Sequence, residues 1–210
     1  MRYFRRSPAE LAESLPLRSA DRELLCDIGL PVAPKRPLTL FMRFEDVKIH
    51  HQPQQLRLVT RADLQKGKKF PKTGHQNLDK WADLSKFVVI GEAPGTFFPK
   101  RLVCVDGIRG HVWWVYPKLA EGRTDCDLIN TGLANYLESL LAYKEFREEW
   151  HELLKKYPTP KEAVLDREDK RRGKAIHRKF LRRLGRADSQ GFADGFWFHH
   201  AWDEAILLES

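Results

Sequence analysis

Between Lys86 and Tyr116 the chain strings together β-rich runs and glycine-containing connections: KFVVIG, EAPGTFFPK, RLVCVD, GIRG and HVWWVY. Branched and aromatic residues at this density suit the pleated, half-buried surface of a sheet. The GIRG segment supplies glycines for the positive φ angles of a tight connection, so RLVCVD and HVWWVY are predicted to pair as an antiparallel hairpin. Alternation places Leu102 and Cys104 opposite Val103 and Val105, and Trp113 opposite Val112 and Trp114. A sheet apolar on both sides cannot leave either to water. The expected covers are the Leu133 to Leu141 helix on one face and the C-terminal aromatic segment on the other.

That helix is read from DLINTGLANYLESLLAY, with Asn130 as its N-cap and Leu133, Leu137, Leu140 and Leu141 on one side. The pattern renews at Phe146, Trp150, Leu153, Leu154 and Tyr157, so the helix runs on or kinks near Tyr143 until Pro158 ends it. Thr159, Pro160 and Glu162 compose a capping box, and Ile176, Phe180 and Leu184 give the following helix an apolar stripe that stops at Gly185. Near the start, residues 19 to 28 predict a short helix capped by Ser19, with Leu24, Leu25 and Ile28 on one face and Gly29 past its end. Pro34 to Lys80 reads as short strands and loops, with LTLFMRF and QLRLVT as the strand pieces. A last helix is expected from about Asp194. The predicted fold class is α+β: a mainly antiparallel sheet flanked by helices, with residues 1–144 as core and 145–210 as a helical extension packing on it, one domain overall.

Composition narrows the function classes. Apolar residues make up 42% of the chain, with six Trp and twelve Phe, which is enough to bury a core and excludes a disordered chain. Cys26, Cys104 and Cys126 are odd in number and spaced like neither a disulfide framework nor a zinc knuckle, so reduced thiols are expected. The opening MRYFRRSPAELAESL has basic charge but no apolar run behind it, and no stretch has the length of a membrane span; the cytoplasm is the expected location. The net charge of +8 is concentrated. Lys155 to Arg186 holds thirteen Lys or Arg against four Asp or Glu, a net of +9, which leaves −1 for the rest of the chain.

Two sets of residues are candidates for contact with a partner. The first is aromatic: Phe97 and Phe98 in the GTFFP loop, Trp113, Trp114 and Tyr116 in the strand beyond it, with Glu92 at the loop's entry. Such side chains build cores, and they also carry much of the binding energy at interface centres. The second is the basic helix 161–186, with Arg171, Arg172, Lys174, Arg178, Lys179 and Arg182, which reads as a solvated face, a surface for an acidic protein or a nucleic-acid contact. No catalytic set emerges. His200 shares a helix face with Asp203 and Glu204, but no H-E-x-x-H accompanies it, and His199, His50 and His51 complete no ligand group. GEAPGTFF lacks the phosphate-loop pattern and enters a strand, and Cys104 lies within an apolar strand where a thiol stays protonated. Neither a metal nor another cofactor is expected.

The order of several pairs carries a resemblance: Ile90-Gly91 ending a strand, Val105-Asp106 ending the next, Gly110 leading into Val112 and Trp113, and Asn130 opening a helix. With the opening LRSADRELLCDIGLPV and the tail in which Asp188 precedes Trp197, the chain resembles the SUKH superfamily of immunity proteins, and within it the fourth subfamily. The EAPGTFFPK loop is longer and more apolar than the turn usual there, and residues 35–80 match nothing in the pattern. The resemblance implies a SUKH-like α+β fold, no enzymatic activity, and stoichiometric neutralisation of a cognate bacterial polymorphic toxin encoded by a neighbouring gene. Family partners include nucleases and nucleic-acid deaminases, so the fold does not specify the toxin. The alternative is nucleic-acid binding through helix 161–186.

Overall fold

A computed structural model describes residues 4–32, 38–42, 45–60, 63, 85–93, 101–118, 123–155, 157, 166–193 and 197. Strand β1 (Phe4–Arg5) pairs antiparallel with β2 (Leu30–Pro31), and helices α1 (Ala9–Glu13) and α2 (Ser19–Asp27) lie between them in sequence. Gly29 has φ +87°, and a Cβ there would sit 2.1 Å from the Arg5 carbonyl oxygen, so glycine is required on both counts. Ser19 is the first helical residue; the cap position falls to Arg18, whose guanidinium instead binds the Asp21 carboxylate at 2.6 and 3.0 Å. Leu25 is buried and Leu24 half-buried, but Ile28 is exposed and leaves the predicted apolar face.

The main sheet contains β3 (Leu38–Met42), β4 (Glu45–His51), β5 (Arg57–Leu58), β6 (Phe87–Ala93), β7 (Arg101–Asp106), β8 (Val112–Lys118) and β9 (Arg123–Asn130). Its order is β3-β4-β6-β7-β8-β9, with β5 also on β6, and every described pairing is antiparallel. The β7–β8 hairpin forms where predicted. Gly110 takes φ +75°, its N–H donates to the Asp106 carbonyl at 2.6 Å, and the Asp106 carboxylate accepts the N–H groups of Ile108 and Arg109 at 2.8 and 3.1 Å. Strand β9 is not among the strands predicted from the sequence, where DLIN leads only into the following helix. Among the described residues it has one neighbour, and Asp127 projects to solvent beside buried Ile129, so its polarity is that of an edge strand.

Helix α3 (Leu133–Leu154) runs unbroken past Tyr143. Its cap position is Gly132, without a side-chain hydrogen bond; Asn130 is the last residue of β9 and caps nothing. Helix α4 (Arg167–Ala187) starts later than predicted, because extended Asp166 precedes it and accepts the Asp169 N–H at 2.8 Å as the true N-cap. The capping box at Thr159 lies outside the described residues. Gly185 falls inside α4, and α5 (Ser189–Ala193) follows.

Alternation divides the buried side chains as the sequence indicated. Val88, Ile90, Val103, Val105, Val112 and Trp114 meet Leu133, Tyr136, Leu137 and Leu140 of α3 in one cluster. Ile176, Phe180 and Leu184 of α4 join the same cluster over the outer side of α3, with Phe146 and Phe180 stacked at 4.6 Å. Each such side chain contributes roughly 1.5–3 kcal/mol on burial. The opposite sheet face carries a second cluster of Val59, Phe87, Val89, Leu102, Cys104 and Val115. The C-terminal Trp197 packs with the helices, not on that second face as anticipated, because its ring lies against Tyr143 of α3 at 6.1 Å.

Candidate functional site

Among the described residues, the largest polar constellation in the core centres on Asn130, which is wholly buried. Its Nδ2 donates to Ser139 Oγ and Asp188 Oδ2, both at 3.1 Å, and its Oδ1 accepts the Trp197 indole N–H at 2.9 Å. Asp188 also accepts the Thr131 N–H (2.5 Å), the Thr131 hydroxyl (2.9 Å) and the Gly191 N–H (2.9 Å). Burial alone would push the Asp188 carboxyl up, but the hydrogen bonds from Gly191, Thr131 and Asn130 outweigh it and hold the group below the usual carboxylate range. The end of β9, the start of α3, the end of α4 and Trp197 are thereby tied at one point, with the capacity of these groups spent inside the fold.

A second buried pair lies at the end of β4. His50 faces solvent while His51 is buried, since adjacent strand residues point to opposite faces of the sheet. His51 Nδ1 lies 3.0 Å from the Pro31 carbonyl oxygen and Nε2 lies 2.9 Å from the Tyr136 hydroxyl. A carbonyl only accepts, so Nδ1 donates and Nε2 accepts from Tyr136, which defines the neutral tautomer. Burial lowers the His51 pKa to about 4 and pushes that of Tyr136 up. Because the folded value lies below the unfolded one of about 6.5, the unfolded chain binds the extra proton as pH falls. Stability is complete above that value and declines from there toward pH 4, by about 2 kcal/mol at about pH 5. Urea midpoints across this range check the expectation, since His51→Gln should flatten the decline and an equal slope in both proteins would refute it.

The aromatic candidates separate. Trp114 is 2% exposed, with the Arg101 guanidinium 5.9 Å from its ring centre, so its surface is consumed in the core. Trp113 is half-buried on the second face, stacked on Phe87 at 6.2 Å and beside His111 at 6.3 Å. Its indole N–H is buried and has no acceptor among the described residues. Tyr116 pairs through its backbone with Asp125, while its side chain, like all of Phe97 and Phe98, lies outside the described residues. Glu92 accepts from Arg57 at 3.1 Å, and Arg57 also binds Asp63 at 2.5 and 2.8 Å. Burial works against the Asp63 charge, but Arg57 and Thr60 hold its carboxyl below the ordinary range.

The basic helix also divides. Arg171, Arg172, Lys174, Arg178, Lys179 and Arg182 are all exposed. On the flank toward α3, however, Lys179 pairs with Glu149, and Arg183 binds Glu138 at 2.9 Å and also Glu145. On the other flank Arg167 and Lys170 join Arg171, Lys174 and Arg178 around one surface depression. The sequence reading omitted Arg167 and Lys170 and included Lys179; the spacing i, i+3, i+4, i+7, i+11 was the signal that separates the two flanks.

Among the described residues no group of three or more His, Cys, Asp and Glu is placed to hold a metal ion, and no helix is long and apolar enough to cross a membrane. Burial pushes the Cys104 thiol well up, which leaves it protonated and unreactive. His199, His200, Asp203 and Glu204 lie outside the described residues. A family model described as SUKH-4 immunity protein matches residues 4–207. No curated protein and no solved structure matches the chain.

Proposed function

The chain belongs to the SUKH-4 immunity protein family, and from that premise we propose that it neutralises one cognate bacterial toxin by binding it in a stoichiometric complex, without catalysis, in the cytoplasm. The family match across residues 4–207 carries this reading. The internal chemistry is in keeping with it. Asn130, Asp188, His51 and Tyr136 are among the buried polar groups, and each is engaged in holding elements together. Recognition of a partner then rests on the surface, where a few well-placed side chains supply most of the affinity. Among the described residues, Trp113 is the aromatic candidate that keeps part of its ring exposed to solvent.

The test is co-expression of this chain with the toxin domain encoded by the neighbouring reading frame. Growth should be rescued, and the two purified proteins should elute as a complex of defined stoichiometry. Rescue without any complex between the purified proteins would refute inhibition by binding.

A further inference from the structure

We infer that the outer stripe of α4, formed by Arg167, Lys170, Arg171, Lys174 and Arg178, is a docking surface for an acidic polypeptide face, and that the toxin presents that face. The inference rests on the toxin-binding reading and adds the surface and its chemistry.

The stripe differs from an ordinary solvated helix face. Its members recur at i, i+3, i+4, i+7 and i+11, so five cations share one side over about 16 Å of helix. Like charges at these spacings weaken a helix. On its α3 flank the same helix relieves this with Glu138, Glu145 and Glu149, whereas the five stripe residues have no ion pair among the described residues. They line one shallow depression, which gathers their field. Three arginines add planar, forked donors that match carboxylates two bonds at a time.

A nucleic acid would also be attracted by five cations, but the arrangement disfavours it. Recognition helices of the helix-turn-helix kind present their N-terminal residues to the groove. The first turn of α4 carries Glu168 and Asp169, and Asp166 caps it, so the end with the favourable dipole is already occupied by carboxylates. The cations nearest α3 are taken by glutamates and are withheld from phosphates. A basic stripe bordered by acidic residues gives register against a protein of patterned charge, and a uniform polyanion gains nothing from that border.

The experiment uses the full chain and the purified toxin domain from the neighbouring reading frame. The triple reversal R171E/K174E/R178E should lower affinity roughly 100-fold with an unchanged melting temperature, while R171K/K174R/R178K, which keeps the charge but changes the forked donors, should lose no more than about tenfold. The wild-type association rate should also fall steeply between about 0.05 and 0.5 M salt, a readout that holds even if the reversal fails to fold. Wild-type binding that neither salt nor reversal alters overturns the stripe and leaves toxin binding intact. Absence of any wild-type complex overturns the toxin-binding reading, and the stripe's role with it. Tight, reversal-sensitive binding of a short DNA duplex at about 0.15 M salt, with toxin affinity unaffected, would assign the stripe to nucleic acid and overturn the inference.

Discussion

Trp197→Ala is expected to lower folding stability by about 3–5 kcal/mol, read as a fall in the urea midpoint with the slope unchanged. The indole is 1% exposed and packs against Tyr143 within the principal core. Its removal therefore opens a cavity between α3 and its surroundings, and the loss of apolar contact accounts for most of the effect. A second part is polar. Asn130 Oδ1, which has no exposure to water, loses its donor. Trp197→Phe separates the two, because it restores much of the packing while leaving Asn130 unsatisfied, and its cost should be about 1–3 kcal/mol. A cost within about 0.5 kcal/mol of zero for the alanine variant would mean that the indole is not held as described.

Asp188→Ala is the other severe substitution, at about 3–5 kcal/mol. It removes the acceptor for Asn130, for the Thr131 N–H and hydroxyl, and for the Gly191 N–H, leaving donors orphaned at the junction of β9 with α4 and α5. Asp188→Asn keeps the shape but turns an amide N–H toward donors, so it should fall between wild type and alanine. Since Asp188 is held below the ordinary carboxylate range, its contribution is present above about pH 4 and is lost as pH falls through the folded value. Thermal or urea denaturation of the single and double variants with Trp197→Ala measures the coupling through Asn130. Less than additive loss is expected, because each substitution alone already dismantles part of the same network.

The contrast between this network and the hairpin explains what the sequence could disclose. The β7–β8 hairpin and α3 were legible because their signals are local: alternation of two, a helical repeat, and glycine at the turn. Asn130 was misread as a helix cap because a cap is what an Asn before an apolar run signals locally. Its actual partners, Asp188 and Trp197, lie 58 and 67 residues away, and no periodicity links them. Strand β9 was missed for a related reason, since an edge strand with a solvent-facing Asp127 loses the apolar density by which central strands are recognised. The basic charge of α4 was visible, but its division into two flanks depends on glutamates of α3 30 to 45 residues away.

Several pairs that carried the family resemblance acquire physical reasons. Asp106 closes the hairpin turn with its carboxylate, and Gly91 lets β4 approach, where a Cβ would come within 3.3 Å of the His50 carbonyl oxygen. Asn130, Asp188 and Trp197, scattered in the sequence, meet at one point. The resemblance was thus reading the scaffold. Phe97 and Phe98 remain a proposal for the partner surface.

The long reach of the Asn130 contacts bears on when the protein becomes competent during its own synthesis. The sheet strands emerge from the ribosome well before residue 197, yet the edge strand's terminal amide must wait for that indole to arrive. Such late, distant closure slows maturation and leaves apolar surface transiently uncovered. A cell relying on this chain as an antidote therefore gains from translating it ahead of the poison, and a destabilised Trp197 variant would reveal the deficit first as a lag in protection.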